Sequence, residues 1–390
     1  MNRNIDRPRS SPIGTLVPTE KDQLAFLPHN LPRTIELPAD LVYLLDQATR
    51  SVASLNTALA WLPNANPHLL MRPFMRREAV LSSQIEGTQT TLEEVILFEA
   101  SENQQRATPD LIEVMNYVRA LDFGVRRMEH LPLSKRLTNE LHRELMTGAR
   151  SYDRRPGEIR TEQVFIGGAG TTIDLARFIP PPASFVEGLL DDWEAFINAD
   201  IVMPPLIQVA LMHYQFETIH PYRDGNGRVG RLLIILFLAA KLLLDRPLLY
   251  LSAYFERNKQ RYFDHLFDLS VTGNWLPWID FFLTGVIEES RDVLDRSQRL
   301  RELFTGYRQV LREKNETANA LSLLEELFAR PVITAPAAAK AIGVTPAAGR
   351  RILERLQDAG VVRVERDQWP HYFVASEVYR VFTAPTSASI

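Results

Sequence analysis

The sequence predicts a mostly α-helical protein with one β-hairpin near its middle and a small unit of helices and strands at its C-terminal end. Apolar residues fall at three-and-four spacing over most of the chain, as in LVYLLDQATRSVASLNTALAWL, which is typical of amphipathic helices. Short β-prone pieces flank a Gly-Gly-Ala-Gly tip within residues 158–181, which indicates a hairpin. From residue 317 onward the pattern reads as helix, short strand, two helices joined by a turn, and two further strands.

Taken in order, residues 1–36 are rich in proline, arginine and polar groups, and they predict a flexible lead without the apolar core of a signal peptide. Helical periodicity begins at about residue 39, and three prolines interrupt it between residues 63 and 73. A second helix is expected over residues 74–83, with Gly87 placed to stop it. Further helices are expected over roughly residues 90–100, 109–129, 133–147, 184–198, 204–218, 228–244, 254–271 and 275–289.

The stretch 284–314 is charged and helical with few apolar positions, which is typical of a connector. The chain is therefore expected to divide into five segments: a flexible lead over residues 1–36, an N-terminal helical region over 37–130, a central core over 131–290, a helical connector over 291–316 and a C-terminal unit over 317–390.

The composition excludes several classes of protein. With 390 residues, 45% of them hydrophobic and 24% charged, the chain has the composition of a soluble protein long enough for two or three domains. Its net charge of -4 does not indicate nucleic acid or membrane as a partner of the whole surface. It has no cysteine, which removes disulfides and thiolate chemistry and fits a cytoplasmic location. The longest apolar run, residues 232–244, contains Lys241 and is shorter than the roughly 20 residues of a membrane span.

The most informative stretch is HPYRDGNGRVGR at residues 220–231. A helix should end at His220, because a proline disfavours helical geometry in the residue before it, and a hydrophobic helix follows the loop. Gly225, Asn226 and Gly227 then lie at a helix N-terminus, where free backbone N–H groups and the helix dipole favour an anion. These positions predict a binding site for a polyphosphate.

Three other kinds of side chain belong to this stretch. Arg228 and Arg231 are three apart and project from one face of the first turn, where their guanidinium groups match phosphate oxygens. Asp224 is expected to hold Mg²⁺, which binds one or two carboxylates together with phosphate oxygens. His220 supplies a group that titrates near neutral pH and can take a proton from a hydroxyl. Each residue alone also fits an ordinary structure: a capped helix end, a tight turn, or solvated arginines.

The stretch resembles the signature His-Pro-[Phe/Tyr]-x-[Asp/Glu]-Gly-Asn-Gly-Arg-x-x-Arg of the Fic (filamentation induced by cAMP) domain family, with Tyr222 where phenylalanine is usual. The resemblance covers roughly residues 75–290. It implies a Fic helical core with a β-hairpin flap at residues 163–179, which docks a target segment by strand addition. It also implies transfer of AMP from ATP to a hydroxyl of a target protein.

The resemblance assigns roles residue by residue. His220 is the general base and Asp224 holds the metal, while the residues 225–227 cradle the α- and β-phosphates and the two arginines bind the outer phosphates. The segment ERNKQRYFDHL resembles the part that closes over adenine, although core packing is an equally good interpretation of its two aromatic residues. The full set of expected ATP-binding residues is Gly225, Asn226, Gly227, Arg228, Val229, Gly230, Arg231, Tyr262 and Phe263.

A second stretch, SSQIEG at residues 82–87, places a serine and a glutamate four apart on one helix face. A solvated face capped by glycine is the ordinary interpretation. The stretch also resembles the inhibitory helix [Ser/Thr]-x-x-x-Glu-[Gly/Asn] of many Fic proteins, with Ser82, Glu86 and Gly87 in its positions. By that likeness Glu86 pairs with Arg231, withholds it from the γ-phosphate and keeps the enzyme mostly inactive.

The C-terminal unit resembles a winged helix-turn-helix domain, with residues 346–359 as the recognition helix carrying Arg350, Arg351 and Arg355. Residues 317–390 contain eight lysines and arginines against seven acidic residues, which is weakly basic for a DNA-binding domain. Binding of DNA, binding of a protein and dimerisation therefore stay open for this unit.

The leading hypothesis is an Mg²⁺- and ATP-dependent protein adenylyltransferase that modifies a Ser, Thr or Tyr hydroxyl of a target protein or of itself. The same site also suits transfer of another nucleotide or of phosphocholine, or removal of AMP. A different class is a DNA-binding regulator whose Fic core senses a nucleotide. No membrane partner is expected, and a homodimer fits the family. The sequence has no Gly-x-x-x-x-Gly-Lys, His-Glu-x-x-His or Gly-x-Ser-x-Gly motif.

Overall fold

The structure is a computed structural model that describes residues 10–58, 67–101, 107–148, 155–167, 170–241, 243–244, 247–365 and 371–384. Its helices are α1 Ala39–Ala58, α2 Pro67–Ile85, α3 Leu92–Ala100, α4 Pro109–Arg127, α5 Lys135–Met146, α6 Ala183–Asn198, α7 Pro205–Ile219, α8 Asn226–Ala240, α9 Ser252–Arg257, α10 Lys259–Thr272, α11 Leu276–Glu313, α12 Ala318–Ala329, α13 Ala335–Ala341, α14 Pro346–Asp358 and α15 Ser376–Thr383. Its strands are β1 Gly14–Pro18, β2 Leu24–Pro28, β3 Val332–Thr334, β4 Arg363–Glu365 and β5 Tyr372–Val374. The prediction of a mostly helical protein is confirmed.

Helices α7 and α8 form the centre of the fold. Nearly every side chain of α7 is buried, and α8 is buried along almost its whole length. Such helices carry apolar residues on all faces and have to be surrounded by other elements. Helix α6 packs on α7, and α4 and α5 pack on α8. The loop between α7 and α8 is thereby held by a rigid pair of helices.

The predicted split between a last core helix and a separate connector is wrong. Residues 276–313 form one continuous helix, α11, because its apolar period runs past residue 290. Val293, Leu300 and Leu311 are buried along the second half, and most of the charged residues between them are exposed, although Arg296 is buried. Helix α1 packs along α11. The many charged residues of this segment lie mostly on the exposed face of a packed helix, and they do not indicate a linker.

The predicted flexible lead is also wrong where the structure describes it. Strands β1 and β2 form an antiparallel hairpin within residues 14–28. The side chain of Phe26 is fully buried against Phe178 and Phe267, and the Phe26 N–H donates to the carbonyl of Ile179 at 2.9 Å. Long-range apolar contacts order this segment although its own sequence is rich in proline and polar groups.

The predicted central hairpin is present as a flap, whose described residues form an antiparallel bridge between Ile166 and Phe178. A short 3₁₀ helix, Ile173–Leu175, lies between the two legs, and residues 168 and 169 of the predicted tip lie outside the described residues. The second leg packs against the hairpin of β1 and β2 through Ala25, Ala176 and Ile179. The N-terminal hairpin therefore supports the back of the flap.

The C-terminal elements follow the predicted order, with a helix–turn–helix of α13 and α14 and an antiparallel sheet of order β3-β5-β4. The turn between β4 and β5 lies outside the described residues. This unit is not a loosely attached module, because α12 and α15 pack on α2 and α11. Buried Arg76 of α2 donates to the carbonyl of Ala329 at 2.7 Å, and Phe74 and Phe382 form an edge-to-face ring pair. Among the described helices none has the length and apolarity of a membrane span.

Candidate active site

The turn after α7 is set by the conformation of His220. Its backbone has φ 49° and ψ 63°, which is the left-handed region, and its N–H donates to the carbonyl of Phe216. Residues other than glycine adopt this region at a cost, and they stay there only when the surroundings fix them. The predicted end of the helix at His220 is confirmed, and the turn aims the histidine out of the helix axis toward the loop.

The loop between His220 and α8 is closed by Asn226. The Oδ1 of Asn226 accepts the backbone N–H of Tyr222 at 2.8 Å, and its Nδ2 donates to the carbonyl of Tyr222 at 2.8 Å. Gly225 has φ 77°, a conformation that favours glycine, and Met146 lies against its Cα. The side chain of Asn226 is buried and fixes the loop, so its amide group is already used within the loop.

Arg231, on the first turns of α8, is held by the C-terminal end of α2. Its Nε donates to Ser82 Oγ at 2.8 Å, and its Nη2 donates to the carbonyl of Ser82 at 2.8 Å and to Glu86 Oε1 at 2.7 Å. The contact between Glu86 and Arg231 that the sequence predicted is present. Gly87 follows with φ 99° and ends the helix as predicted.

The carboxylate of Glu86 lies directly on Gly227. A Cβ at residue 227 would collide with Glu86 Oε1 and would approach Arg231 Nη1 to 3.0 Å. A carboxylate oxygen of Glu86 therefore occupies the space beside Gly227 at the N-terminus of α8, next to the guanidinium of Arg231. Among the described residues, Arg231 Nη1 is a buried donor without a hydrogen-bond partner.

In the pair of Glu86 and Arg231, each charged group shifts the pKa of the other toward the ionised form. Burial is the largest single influence and raises the pKa of Glu86, but the charge and the hydrogen bond of Arg231, together with the charge of Arg228, lower it by more, and the net pKa lies below the usual value. Burial is the largest single influence and lowers the pKa of Arg231, but the charge and hydrogen bond of Glu86 and the other acidic groups nearby together raise the pKa above its usual value. The side chain of Arg231 is 2% exposed and that of Glu86 is 37% exposed, so the acidic partner lies at the edge of solvent.

Arg228 has a different acidic partner. Its Nη1 contacts Glu113 Oε2 of α4 at 2.9 Å, and its Nη2 lies 3.8 Å from Asp224 Oδ1. The Nε of Arg228 is buried and has no partner among the described residues. Arg228 is thus near the predicted anion site, but it is bound to α4 in this conformation.

Asp224 keeps 36% of its side chain exposed, and its Oδ1 accepts the N–H of Gly225 at 2.7 Å. Within the described ranges, no group of three or more His, Asp or Glu side chains is placed to hold a metal ion. A single partly exposed carboxylate fits Mg²⁺ only when phosphate oxygens and water complete the six ligands.

His220 presents one ring nitrogen for chemistry. Its Nδ1 lies 3.3 Å from the carbonyl of Glu217, so Nδ1 carries the hydrogen and Nε2 is the acceptor. Burial, followed by the charge of Arg160, lowers the pKa of His220 to about 4. The imidazole is therefore neutral at neutral pH and able to accept a proton.

Two residues of the predicted ATP-binding set lie in the core. The side chain of Val229 is fully buried. A Cβ at residue 230 would collide with Glu217 Oε1, and the carbonyl of Gly230 lies 3.2 Å from His213 Nδ1. The small size of Gly230 makes room for Glu217 and His213, which the sequence analysis did not single out at this site. Burial raises the pKa of Glu217 to about 8, although the charge of Arg231 opposes the shift.

The two aromatic residues of the predicted adenine site, Tyr262 and Phe263, differ in their exposure. Tyr262 is buried in an aromatic cluster with Phe255 and Trp278, and its hydroxyl lies 2.8 Å from His213 Nε2. Core packing is thus the role of Tyr262, because its ring is not open to a ligand. Phe263 is 37% exposed, so its ring is the one of the pair that lies at the surface.

Sequence reasoning also missed His142 of α5. Its ring stacks on Tyr222 with centroids 3.8 Å apart, its Nδ1 accepts the N–H of Gly157, and its Nε2 lies 3.0 Å from the carbonyl of Asp224. Burial lowers the pKa of His142 to about 4. His142 lies 78 residues before the loop that it supports, so no local pattern could have indicated it.

Two family models match adjacent parts of the chain. Residues 42–126 match the Fic/DOC family N-terminal model, and residues 132–238 match the Fic/DOC family model.

Similar curated proteins are adenylyltransferases by name. The protein adenylyltransferase fic-1 of Caenorhabditis briggsae is 31% identical over 123 residues, which is 31% of this chain and 22% of the relative. The protein adenylyltransferase Fic of Drosophila erecta is 28% identical over 235 residues, which is 56% of this chain and 42% of the relative. The chain spans less than half the length of these relatives.

Solved structures show the same fold. The crystal structure of a Fic family protein from Desulfovibrio desulfuricans has a TM-score of 0.57 at 20% identity and covers 89% of this chain and 98% of that chain. Fic-1 from C. elegans has a TM-score of 0.51 at 22% identity and covers 67% of this chain and 74% of that chain.

Proposed function

Because this chain belongs to the Fic/DOC family, we propose that it is a protein adenylyltransferase that moves AMP from ATP to a hydroxyl group of a target protein. One observation carries the proposal: the bare start of α8 holds an anionic oxygen against Gly227 and Arg231. A neutral histidine follows α7 at the other end of the same loop. Polyphosphate binding and proton abstraction are thus supported at one loop.

We propose that the phosphates of ATP take the place of the Glu86 carboxylate. The unpaired donors Arg231 Nη1 and Arg228 Nε supply hydrogen bonds for anionic oxygens. The backbone N–H groups at the start of α8 supply further donors. We assign the adenine to the side of Phe263, whose ring is exposed. Asp224 fits Mg²⁺ as one carboxylate ligand beside these phosphates, and the bound ion would neutralise charge on the leaving phosphates.

The proposed chemistry uses His220 as general base. A hydroxyl of the target loses its proton to Nε2 of His220, and its oxygen attacks the α-phosphorus of ATP. The bond from the α-phosphorus to the bridging oxygen breaks, and pyrophosphate leaves. The product is a phosphodiester between the target and AMP, and the proton remains on the imidazole until solvent removes it.

We propose that the flap selects the target. Phe165 and Ile166 of its first leg are exposed, while its second leg is covered by the N-terminal hairpin. An extended segment of a target can therefore add to the first leg by main-chain hydrogen bonds. A Ser, Thr or Tyr of the target, or of the chain itself, would then reach His220.

We also propose that Ser82, Glu86 and Gly87 form an internal inhibitory element. Glu86 and Ser82 together occupy Nε and Nη2 of Arg231, and the Glu86 carboxylate blocks the Gly227 face. ATP with its outer phosphate on Arg231 cannot bind while this carboxylate is in place.

DNA binding by the C-terminal unit is not favoured. Two of the three arginines of α14 are paired, Arg350 with Glu354 at 3.0 Å and Arg355 with Glu316 at 3.3 Å. Specific DNA binding needs a clearly basic face. Protein binding and dimerisation stay open for this unit.

The test is intact-mass spectrometry of the E86G variant after incubation with Mg²⁺ and ATP, with E86G/H220A as the control. An added AMP mass on E86G that is absent from the double variant supports adenylyl transfer through His220. Parallel incubations with GTP, CTP, UTP and CDP-choline separate ATP from the other donors, and incubation of AMP-labelled protein without ATP reveals removal of AMP. Labelling from CDP-choline but not from ATP would overturn the proposal.

A further inference from the structure

Arg160, at the start of the flap, is 3% exposed, and within the described part of the chain its side chain donates only to backbone carbonyls. Its Nε donates to His220 O at 2.8 Å, and its Nη2 donates to Pro181 O at 2.6 Å and to Ile219 O at 3.3 Å. Its Nη1 donates to Glu162 O at 3.0 Å. No carboxylate of the described residues forms an ion pair with it, which is unusual for a buried guanidinium.

These four carbonyls belong to three separate segments. Glu162 and Pro181 stand at the two ends of the flap, and residues 219 and 220 end α7. The backbone N–H of Arg160 adds a fifth bond, to the carbonyl of Pro221 at 2.9 Å. One side chain therefore joins both legs of the flap to the peptide of the left-handed histidine.

From this geometry we infer that Arg160 is a positioning residue, which fixes the catalytic histidine in its left-handed conformation and sets the flap in register with it. The catalytic part of this inference rests on the proposed function, whereas the restraint on the conformation of His220 does not depend on it. A left-handed residue other than glycine costs on the order of 1–3 kcal/mol and has to be fixed by its neighbours. The two bonds from Arg160 to the carbonyls at 219 and 220 supply that restraint.

Only arginine suits the position. The guanidinium is planar and directs five N–H donors in a fixed fork, whereas a lysine ammonium is a point charge with three donors at one atom. A lysine would keep the positive charge near His220 and lose the simultaneous bonds to the three segments. A glutamine would lose both. The two variants therefore separate the charge from the geometry.

The control is Arg296 of α11, a second buried guanidinium that donates to the backbone carbonyls of Val381 and Ala384 and, unlike Arg160, also to a carboxylate, Asp292 Oδ2 at 2.7 Å. It belongs to the contact of α11 with α15, whereas Arg160 bonds to the histidine itself. Loss of its fork in R296K removes a comparable number of buried bonds without touching His220. Any effect that R160K and R296K share is one of general stability.

The experiment compares R160K, R160Q and R296K, each in the E86G background, by three measurements. The first is the rate of AMP incorporation into the chain at saturating ATP, and the second is the Kd of the analogue AMP-CPP with Mg²⁺. The third is the titration midpoint of His220, followed by NMR of labelled histidine and assigned with H220A. We expect R160K and R160Q to lower the rate by about 10- to 100-fold, as misplacement of a catalytic group does, with Kd unchanged.

The NMR midpoint of His220 should rise in R160Q, because a nearby cation that disfavours the imidazolium is removed, and should change less in R160K. R296K should leave both the midpoint and the rate as in E86G. The inference is overturned if R160K transfers AMP at the E86G rate. It is also overturned if R160K and R296K both show a lower rate together with a higher Kd, since that result would mean a general loss of stability. Should R160Q not fold, R160K still decides the matter. If E86G itself transfers no AMP, the proposed function fails, whereas an unchanged His220 midpoint in R160Q would count against the role of Arg160.

Discussion

Replacement of Glu86 by glycine is the perturbation whose consequence the structure defines most closely. It removes the carboxylate that contacts Arg231 Nη2 at 2.7 Å and that covers Gly227. The two bonds from Arg231 to Ser82 remain. We therefore expect Arg231 to stay near its place and to turn its free donors toward the phosphates of ATP.

The free energy of the ion pair between Glu86 and Arg231 can be estimated from the exposure of the two side chains. Breaking a fully buried ion pair costs about 3–5 kcal/mol, and an exposed pair is worth about 0.2–1 kcal/mol. Arg231 is 2% exposed, but Glu86 is 37% exposed, so this pair lies between the two limits at about 2 kcal/mol. At about 1.4 kcal/mol for each factor of ten, release of the pair corresponds to roughly a 30-fold gain in productive ATP binding.

The assay measures the initial rate of AMP incorporation by intact mass at fixed Mg²⁺ and ATP, for the wild-type chain, E86G and E86Q. E86Q keeps the size and helix propensity of the side chain and removes its charge, so its rate should lie between those of the other two. S82A, which loses only one neutral acceptor for Arg231, should raise the rate less than E86G does. Equal rates for the wild-type chain and E86G, with measurable labelling of both, would refute the inhibitory role of Glu86.

Three further predictions follow from the same contacts. G227A should destabilise the wild-type chain more than it destabilises the E86G variant, because the added Cβ meets the Glu86 carboxylate only when that side chain is present. Urea unfolding of the two single variants and the double variant measures this coupling, and an absence of coupling would contradict the reasoning. The stability of E217Q relative to the wild-type chain should increase as pH rises from 6 to 8, by up to about 1 kcal/mol per pH unit. Glu217 has a pKa raised to about 8 in the folded chain, so above its usual pKa it ionises in the unfolded chain first, and this ionisation opposes folding. A difference in unfolding free energy that does not change with pH would contradict this. F26A should cost about 3 kcal/mol locally and speed amide hydrogen exchange in the flap, since Phe26 is fully buried there; unchanged exchange would mean that the hairpin does not support the flap.

Much of the local structure follows from the order of the residues alone. The periodicity of apolar residues predicts helices close to those observed, and the proline after His220 ends α7 where expected. The pairing of Glu86 with Arg231 was also predictable, but only from the resemblance to a family motif. Nothing in the spacing of two residues 145 positions apart indicates that they meet.

The partners of the site residues were decided by the tertiary structure. Periodicity shows which face of a helix is buried, but it does not show which distant side chain packs there. Arg228 lies against Glu113, and Tyr262 is turned into the core by its bond to His213. The sequence could not assign these contacts, since the first depends on how α8 packs on α4 and the second on how α10 packs on α7.

The same distinction holds for the whole protein. By itself, the sequence determined most of the helices and the loop of residues 220–231, and it predicted the kind of ligand for that loop, because these depend on neighbours within a few residues. Only the tertiary structure decided that residues 14–28 are ordered, that α11 is continuous with the core and that Arg160 holds the peptide of His220. Those features arise from contacts between distant segments, whose free energy appears only when the chain is folded.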